Sequence, residues 1–372
     1  MFLSSLELTN FRNYEQLNIN FSPESNILFG ANAQGKTNII EAIYLVCFSR
    51  SFKSLLESEI VTFNKNHSLI IGHFESDLKI KRDVIINYFK GQGKSILIDR
   101  KKLNRFSELI GQFPVVIFTP DDFKITIGAP AERRRLVDTI LSQVSNAYLK
   151  TLQQFIRILK QRNKLLSDAA INRSLSTASL EPWNENFVKF GSAIVQFRHI
   201  FVSEFSPLLS KIYMDLNLSN ESLIFSYKPS FKYNDISEIE SNFIRILEKK
   251  KNLERLRGLS LVGPQRDDFS FKIDNNELKK YGSRGQHKTV LIALKIAEYN
   301  YLKNKIKETP IILLDDLFSD LDPAREEKIV EKIQDVGQIF ITTTRSMDAE
   351  VFDFSNSKQF EVRDNNVYSI EK

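Results

Sequence analysis

Hydrophobic and polar residues alternate along residues 1–120, which is the pattern of half-buried β-strands. Apolar residues at every second or third position mark a β-rich start, at Leu3, Leu6, Leu8, Leu17, Ile19 and Phe21. Short strands are then predicted at 69–74, 78–89, 95–98 and 115–118. Gly91, Gln92 and Gly93 indicate a hairpin turn between the second and third of these strands.

The periodicity changes near Thr126, where apolar residues begin to recur at steps of three and four. Pro130 suits a helix start, and one long helix is predicted after it from Leu136, Ile140, Val144, Tyr148, Leu152, Phe155 and Leu159. A small, polar segment at 167–180 is expected to be a flexible connection. Two more stripes follow, first Trp183, Phe187, Phe190, Ile194, Phe197 and Phe201, and then Ile236, Ile239, Phe243 and Ile246. Three such helices indicate a helical module with these aromatic residues in its core.

After Gly258 the pattern returns to that of an α/β domain. An alternating strand at 269–273 precedes a glycine-containing loop that opens a helix at 281–302, and buried strands are predicted within 310–322 and 338–344. We therefore expect an α/β domain formed by residues 1–125 and 258–372, with residues 126–257 inserted as a helical domain.

A phosphate-binding loop is predicted at residues 30–37, GANAQGKT, between an apolar strand at 27–29 and a helix at 38–46. Glycines at both ends allow the backbone to curl and direct its N–H groups at phosphate oxygens, and the helix adds its positive N-terminal dipole. Lys36 is expected to reach the β- and γ-phosphates of ATP, and Thr37 to bind Mg²⁺ through its hydroxyl. The predicted ATP-binding residues are Gly30, Ala31, Asn32, Ala33, Gln34, Gly35, Lys36 and Thr37. The alternative is a chance match to the motif.

Two adjacent carboxylates follow the apolar run at 311–314. Ligands of open α/β sheets bind at the carboxyl ends of the strands, so Asp315 is expected to hold Mg²⁺ and Asp316 to orient the attacking water. With Lys36 these residues form the predicted catalytic set. The alternative is an acidic strand exit without a metal.

A second anion site is predicted at GSRGQ, residues 282–286, which opens a helix. One nucleotide does not need two such sites, so Ser283, Gly285 and Gln286 are expected to cap the γ-phosphate of a nucleotide held by a partner subunit. The alternative is a glycine-rich helix start with basic neighbours.

Composition excludes several classes of protein. Hydrophobic residues make up 42% of the 372 residues, which is typical of a folded chain of two or three units. The single cysteine, Cys47, excludes a disulfide framework and a cysteine-based metal site. No apolar run approaches the ~20 residues of a bilayer span, and the N-terminus lacks the basic region of a signal peptide. A cytoplasmic protein without a membrane partner is therefore expected.

The positive charge is concentrated in the helical segment. The net charge is +6, and residues 126–257 hold 20 Lys and Arg against 13 Asp and Glu. An excess in one segment indicates an anionic partner there. Arg133, Arg134 and Arg135 oppose the dipole of the helix that they begin, and the anions that offset them are expected to be Glu132 and Asp138, a DNA phosphate or a nucleotide-side interface. Structural or interface use is favoured.

The order of these motifs resembles that of the ABC-type ATPases of the SMC class, in which a phosphate loop, an S-x-G-Q helix start and a DD strand followed by SDLD (319–322) occur in this order. Longer blocks resemble the RecF family of bacterial recombination-mediator ATPases, namely LTNFRNYEQL (8–17), GANAQGKTNIIEAIYL (30–45), FTPDDFKITIGAPAERRRLVD (118–138), LVGPQRDD (261–268), YGSRGQHK (281–288) and LLDDLFSDLD (313–322). Thr343 or Thr344 stands where ABC transporters place a histidine and is assigned to γ-phosphate sensing. Arg12 and Tyr14 are assigned to the adenine side.

The resemblance implies an ABC/SMC-type ATPase head that forms an ATP-dependent homodimer and binds single- and double-stranded DNA without sequence specificity. It also implies action with RecR and RecO in recombinational repair of replication gaps, to help RecA load onto DNA. The leading hypothesis is a DNA clamp with weak, DNA-stimulated ATPase activity. The alternatives are a nucleotide-binding subunit of an ABC transporter and a non-catalytic SMC-like scaffold.

Overall fold

A computed structural model describes residues 1–53, 56–172, 180–216, 221–316, 332, 336–344 and 357–370. The chain divides into two compact units: unit 1 comprises Met1–Asp122 and Lys295–Lys372, and unit 2 comprises Phe123–Leu294. The mixed α/β class expected from the sequence is confirmed. The predicted return to the α/β domain at residue 258 differs from this division, in which residues 258–294 group with the helices.

The described strands are, in chain order, β1 (Phe2–Phe11), β2 (Tyr14–Asn20), β3 (Ser25–Phe29), β4 (His67–Glu75), β5 (Lys81–Phe89), β6 (Gly93–Ile98), β7 (Lys101–Lys102), β8 (Val115–Phe118), β9 (Leu223–Lys228), β10 (Asp268–Ile273), β11 (Asn276–Glu277), β12 (Ile311–Asp315), β13 (Ile339–Thr343), β14 (Ser357–Arg363) and β15 (Asn366–Ile370). The described α-helices are α1 (Lys36–Phe48), α2 (Phe123–Ile127), α3 (Pro130–Val144), α4 (Asn146–Asn172), α5 (Glu181–Leu216), α6 (Ile239–Arg257), α7 (Leu278–Tyr281) and α8 (Arg284–Lys305). Among the described helices, none has the length and apolar character needed to cross a bilayer.

Unit 1 contains two six-stranded sheets. The antiparallel sheet has the order β2-β1-β4-β5-β6-β7, and the mixed sheet has the order β15-β14-β3-β13-β12-β8. In the mixed sheet β14, β3, β13, β12 and β8 are parallel, and β15 is antiparallel to β14. Helix α1 contacts strands of both sheets, and its residues 39–47 are buried on every side. The phosphate loop therefore connects a central parallel strand to a helix held in the core.

Unit 2 combines the long helices with a small antiparallel sheet of order β11-β10-β9. Strand β10 lies in the segment predicted to belong to the α/β domain, yet it pairs with β9, with Phe269 opposite Tyr227 and Phe271 opposite Phe225. Strand β9 was not predicted. This pairing is the physical reason why residues after Gly258 group with the helical part of the chain.

The predicted single long helix after Pro130 is wrong, because the chain forms two helices that are separated at Ser145. Ser145 has an extended backbone (φ −140°, ψ 106°), and its hydroxyl accepts a hydrogen bond from the Tyr148 N–H at 3.1 Å. This is the arrangement of a serine helix cap, and it allows the apolar stripe to continue across the break. The predicted flexible connection at 167–180 is wrong in its first part, because α4 runs to Asn172; residues 173–179 lie outside the described residues.

The two points where the chain passes between the units are marked by an ion pair within unit 1. Asp122 is the last residue before the first passage, and Lys295 is the first residue after the second. The Lys295 Nζ lies 3.7 Å from Asp122 Oδ1 and 3.2 Å from Glu298 Oε2. Lys295 and Glu298 are buried, so this cluster holds both passages in one place.

Candidate nucleotide-binding site

The loop between β3 and α1 has the backbone conformation that the glycine spacing predicts. Gly30 has φ +147° and Gly35 has φ +108°, both in the region that favours glycine. A Cβ on Gly30 would lie 2.3 Å from the Val362 carbonyl oxygen of β14, and one on Gly35 would lie 2.5 Å from Tyr14 Oη. Both positions therefore exclude any larger residue.

The side chain of Lys36 lies within the loop. Its Nζ donates hydrogen bonds to the carbonyl oxygens of Gly30 at 2.6 Å and Ala31 at 2.8 Å. Burial lowers the pKa of Lys36, while the nearby carboxylates of Asp316 and Asp315 act in the opposite direction. The ammonium group is thus already at the loop that is expected to receive the phosphates.

Thr37 and Asp315 meet at the carboxyl end of the parallel strands. The Thr37 hydroxyl donates to Asp315 Oδ1 at 2.9 Å, and the Thr342 hydroxyl donates to the same oxygen at 2.8 Å. Asp315 lies opposite Thr342 in the β12–β13 register, and the Asp316 N–H donates to the Thr342 hydroxyl at 3.0 Å. Burial raises the pKa of Asp315, opposed by the hydrogen bonds from Thr342 and Thr37.

This oxygen pair fits Mg²⁺. A hydroxyl and a carboxylate are hard ligands, and Mg²⁺ in phosphate-binding sites takes one or two protein oxygens together with phosphate oxygens and water. Within the described ranges no group of three or more His, Cys, Asp or Glu is arranged to hold a metal. A site of two protein ligands beside the phosphate loop is consistent with both observations.

The remaining predicted residues of this region are placed as follows. Asp316 is exposed and has φ +53°, directly after β12. Thr343 is buried in β13 beside Phe29 of β3, and Thr344 is exposed just after that strand. Thr342, the threonine that contacts Asp315, was missed by the sequence analysis, although it belongs to the same run of three threonines.

Arg12 and Tyr14, assigned to the adenine side, both have structural contacts. Arg12 donates to the two oxygens of the buried Glu41 at 2.9 and 2.6 Å and to the Glu59 carbonyl oxygen at 2.8 Å. Tyr14 is fully buried, its hydroxyl has no hydrogen-bond partner within the described residues, and burial raises its pKa. It lies directly beneath Gly35.

Two hairpin turns that the sequence analysis did not assign support the loop. Asn13, in the β1–β2 turn, accepts a hydrogen bond from Asn38 of α1 at 2.7 Å and donates to Asn365 in the β14–β15 turn. The side-chain oxygen of Gln34 accepts from the Asp364 N–H at 2.7 Å. Gln34, predicted to bind ATP, therefore also ties the phosphate loop to the β14–β15 turn.

The predicted second anion site forms a reciprocal helix cap in unit 2. The Ser283 hydroxyl accepts from the Gln286 N–H at 3.2 Å, and the Gln286 side-chain oxygen accepts from the Ser283 N–H at 2.8 Å. This is the capping-box arrangement, and it opens α8. Ser283 is exposed and its hydroxyl retains a proton to donate, while Gly285 accepts a hydrogen bond from Thr289 at 3.0 Å.

Two of the three consecutive arginines of α3 have structural roles. Arg133 donates to both carboxylate oxygens of Asp268 at 2.8 and 3.1 Å, and Arg134 donates to the Asp267 carbonyl oxygen at 2.7 Å. The buried Asp267 also lies 3.3 Å from Arg198, which is fully buried as well. Arg135 is exposed. The carboxylate bound to Arg133 thus comes from the LVGPQRDD block, whereas Asp138 of α3 and both aspartates of that block act together on Arg134.

Comparison with known proteins gives one consistent result. Residues 2–365 match the family described as RecF/RecN/SMC N terminal domain. The DNA replication and repair protein RecF of Chloroherpeton thalassium is 37% identical over 358 residues, which cover 94% of this chain and 97% of that protein. The RecF of Ligilactobacillus salivarius is 34% identical and covers 100% of both chains.

Comparison with solved structures also finds a RecF protein. The recombination mediator protein RecF with ATP, from the RecFOR pathway, superposes with a TM-score of 0.91 at 29% identity and covers 100% of this chain and 98% of that chain. The Smc head domain of Pyrococcus furiosus superposes with a TM-score of 0.57 at 17% identity, covering 100% and 96%. The second match shows a shared fold alone.

Proposed function

The chain belongs to the RecF family, and we propose from this membership and from the site geometry that it is an ATP-dependent DNA-binding mediator of recombinational repair and replication. The observation that carries the proposal is the hydrogen bond of 2.9 Å between Thr37 and Asp315, beside a phosphate loop whose Gly30 and Gly35 have positive φ angles. The relatives are repair proteins, which favours this function over the transporter-subunit and scaffold alternatives. We place its action in the cytoplasm.

ATP binding follows from the loop itself. The N–H groups at the start of α1 and the helix dipole favour the phosphates, and the Lys36 ammonium exchanges its contacts with loop carbonyls for phosphate oxygens. Thr37 and Asp315 would hold Mg²⁺, which neutralises charge that develops on the phosphates. Asp315 is buried, so its carboxylate acts in a region of reduced dielectric.

Hydrolysis is proposed to depend on Asp316. Its exposed carboxylate follows Asp315 at the end of β12 and would orient a water molecule toward the γ-phosphate. Thr343 or Thr344 at the end of the neighbouring strand is proposed to sense that phosphate. Because each head is proposed to lack the residues that enclose the nucleotide, we expect the activity of an isolated copy to be weak and to rise on DNA.

The enclosing residues are proposed to come from a second copy of the chain. Ser283 is exposed and forms the cap of α8, so its hydroxyl is held at the helix start. Because the hydroxyl accepts a hydrogen bond in the cap, its proton can still be donated to a phosphate oxygen. Changing a monomer–dimer balance from 1:99 to 99:1 requires about 5.5 kcal/mol. Charge-assisted hydrogen bonds contribute ~1.5–3 kcal/mol each, so two such bonds in each site, from the Ser283 hydroxyl and an N–H group near Gly285, would supply this energy across both sites of a dimer.

Light scattering with and without ATP tests this arrangement. The unmodified chain is expected to dimerise with ATP and Mg²⁺, and Ser283→Arg to remain monomeric while it still binds ATP, because its own phosphate loop is unchanged. Ser283→Thr keeps the hydroxyl and the cap and should dimerise normally. Dimerisation of Ser283→Arg at the unmodified level would refute the shared site.

DNA recognition is proposed to depend on phosphates and not on bases. None of the sequence motifs that read base edges is present, so affinity should fall steeply as salt rises. Action with RecR and RecO, and assistance to RecA on gapped DNA, are proposed from the family.

A further inference from the structure

The strongest local excess of positive charge lies in unit 1, outside the helical segment. Residues 79–105 contain nine Lys and Arg and two Asp. The whole chain has a net charge of +6, so this short segment carries more positive charge than the complete molecule. The remainder of the chain is therefore slightly negative, and the field of the molecule is polarised toward this segment.

The fold places much of this charge along one border of the antiparallel sheet. Strand β7 is the last strand of that sheet, with Lys101 opposite Ile98 and Lys102 opposite Leu97 of β6. The chain continues along β6, because the Leu103 N–H donates to the Ile96 carbonyl oxygen at 2.9 Å. Residues 101–103 therefore run beside β6, whose length is about 17 Å at ~3.3 Å per residue, and Arg100 and Arg105 flank this run.

Five exposed cations form what we call the basic edge: Lys90, Arg100, Lys101, Lys102 and Arg105. Lys90 lies in the turn that begins β6, Lys101 and Lys102 form the border strand β7, and Arg100 and Arg105 lie before and after that strand. Within the described part of the chain, no carboxylate lies within ion-pair distance of any of them. The nearest acidic residue in sequence, Asp99, contacts Arg82 at 3.2 Å and the Asp83 N–H at 2.9 Å.

Protection of a sheet edge explains only part of this charge. Lysines on an edge strand prevent pairing with another sheet, and Lys101 and Lys102 serve that purpose on β7. Lys90, Arg100 and Arg105 lie outside strand positions, so they exceed what this protection needs. Exposed like charges without partners repel one another, and an anionic partner would relieve that repulsion.

Exposed aromatic rings lie at the end of the border where β6 begins. Phe89 is 43% exposed and Phe106 is 40% exposed. The Lys94 Nζ lies 4.7 Å from the centre of the Phe106 ring, and His67 stacks on Phe89 with 4.4 Å between ring centres. Cations interleaved with exposed aromatic rings are typical of surfaces that bind nucleic acid, because phosphates contact the cations and unpaired bases stack on the rings.

We propose that the basic edge binds the phosphate backbone of DNA. A duplex carries one charge per ~1.7 Å of its axis, so a border of about 17 Å spans enough phosphates to contact all five side chains. Backbone contacts of this kind carry no base preference. This inference rests on the proposed function, and it locates the DNA surface on the sheet edge of unit 1.

Fluorescence anisotropy with the full chain, ATP and labelled duplex or single-stranded oligonucleotides tests the proposal. The test variant replaces Arg100, Lys101, Lys102 and Arg105 with alanine. A matched control replaces four exposed lysines of the helical segment with alanine, namely Lys160, Lys164, Lys211 and Lys249. Both variants lose the same charge, so the comparison also tests whether the charge of residues 126–257 provides the DNA surface.

The basic-edge variant is expected to bind duplex at least about tenfold more weakly, and its slope of log affinity against log salt should fall by about 3 to 4. The control variant should stay within about twofold of the unmodified chain. Lys101→Arg with Lys102→Arg keeps the charge and should bind normally, and Lys101→Glu with Lys102→Glu should reduce binding even if the fourfold variant folds poorly. Binding of a fluorescent ATP analogue verifies that each variant is folded.

Unchanged DNA binding by the basic-edge variants, or an equal loss in the control, would overturn this surface and leave the proposed function standing. Failure of the unmodified chain to bind either form of DNA at low salt would overturn both. If the variants bind DNA normally but lose binding to polyglutamate, the surface recognises an acidic protein, and the DNA assignment is wrong.

Discussion

The identity of single residues in the phosphate loop is set by contacts on both sides of the backbone. Gly30 lies against the Val362 carbonyl oxygen and Gly35 against Tyr14 Oη. A positive φ alone penalises other residues by roughly 1–2 kcal/mol, whereas the close contacts add a steric cost. The loop thus requires glycine for two independent reasons.

Gly35→Ala should separate these two costs. We expect it to destabilise the chain by about 2–4 kcal/mol and to reduce ATP affinity at least tenfold, because the new Cβ displaces Tyr14 and distorts the loop. Gly91→Ala is the control, since Gly91 has φ +82° but no atom within 4 Å of the new Cβ. Thermal unfolding and ATP titration measure both effects; equal destabilisation by the two substitutions would show that Tyr14 does not constrain the loop.

The sequence predicts the residues whose role is local and misses those whose role depends on strand register. Lys36 and Thr37 follow from the loop motif, and Asp315 follows from an apolar strand that ends in acids. Thr342 contacts Asp315 because side chains alternate along β13 and this threonine lies opposite Asp315. No local pattern distinguishes it from Thr343 and Thr344.

At the scale of elements, strands with a strong apolar pattern were predicted well. A continuous apolar stripe, by contrast, led to a predicted helix that was too long. Strand β8 has the predicted bounds, 115–118, and α6 ends at Arg257 as expected. The break at Ser145 was missed because apolar residues keep their spacing across it. Strands β14 and β15 were not predicted, although β14 pairs with β3 and its turn reaches the phosphate loop.

Asn365→Ala should weaken ATP binding through this turn. Asn365 contacts Asn13, which contacts Asn38 at the start of α1, so its removal loosens the support of the loop without touching the phosphate-binding groups. We expect ATP affinity to fall about threefold to tenfold, in line with the loss of one net hydrogen bond of ~1 kcal/mol. Asn366→Ala is the matched control, because the Asn366 side chain donates to the Asp364 carbonyl oxygen within its own turn. Calorimetric ATP titrations of both variants provide the measurement, and equal affinities would contradict this role.

At the scale of the whole molecule, the distribution of charged residues along the sequence predicts an anion-binding surface poorly until the ion pairs are known. The excess of cations at 126–257 indicated an anionic partner there, yet several of these cations neutralise buried carboxylates. Arg162 contacts Glu254 at 2.6 Å, and Arg198 contacts Asp267 at 3.3 Å. Outside residues 126–257, acidic residues elsewhere in the chain cancel the cations at 79–105 in the total charge.

The stability of the molecule and its capacity to bind metal are expected to oppose each other at Asp315. Burial raises the pKa of this carboxyl above its unfolded value. Such a group stabilises the fold most when protonated, and that contribution is lost as the pH rises through the folded-state pKa. At pH 7.5 Asp315→Asn should therefore raise the melting temperature of the nucleotide-free chain by about 1–3 °C.

The same substitution should abolish the additional stabilisation by ATP with Mg²⁺, because the charged metal ligand is lost. Thermal unfolding at a series of pH values from about 4 upward measures both effects, and the advantage of the variant should shrink as the pH falls through the folded-state pKa of Asp315. Asp316→Asn, at an exposed position, should leave the nucleotide-free melting temperature nearly unchanged. A lower melting temperature for Asp315→Asn without nucleotide would disprove the expected opposition.

The ion pair between Asp122 and Lys295 has a consequence for how such a chain could have arisen. Since its two passages lie side by side, residues 123–294 form a cassette whose ends meet, and a linker of a few residues would close the gap that its excision leaves. Genetic insertion or exchange at this one place would leave every strand of the two large sheets intact. Such an exchange would also replace Ser283, Gly285 and Gln286, which lie inside the cassette, while Lys36, Thr37 and Asp315 would stay in the ATPase body.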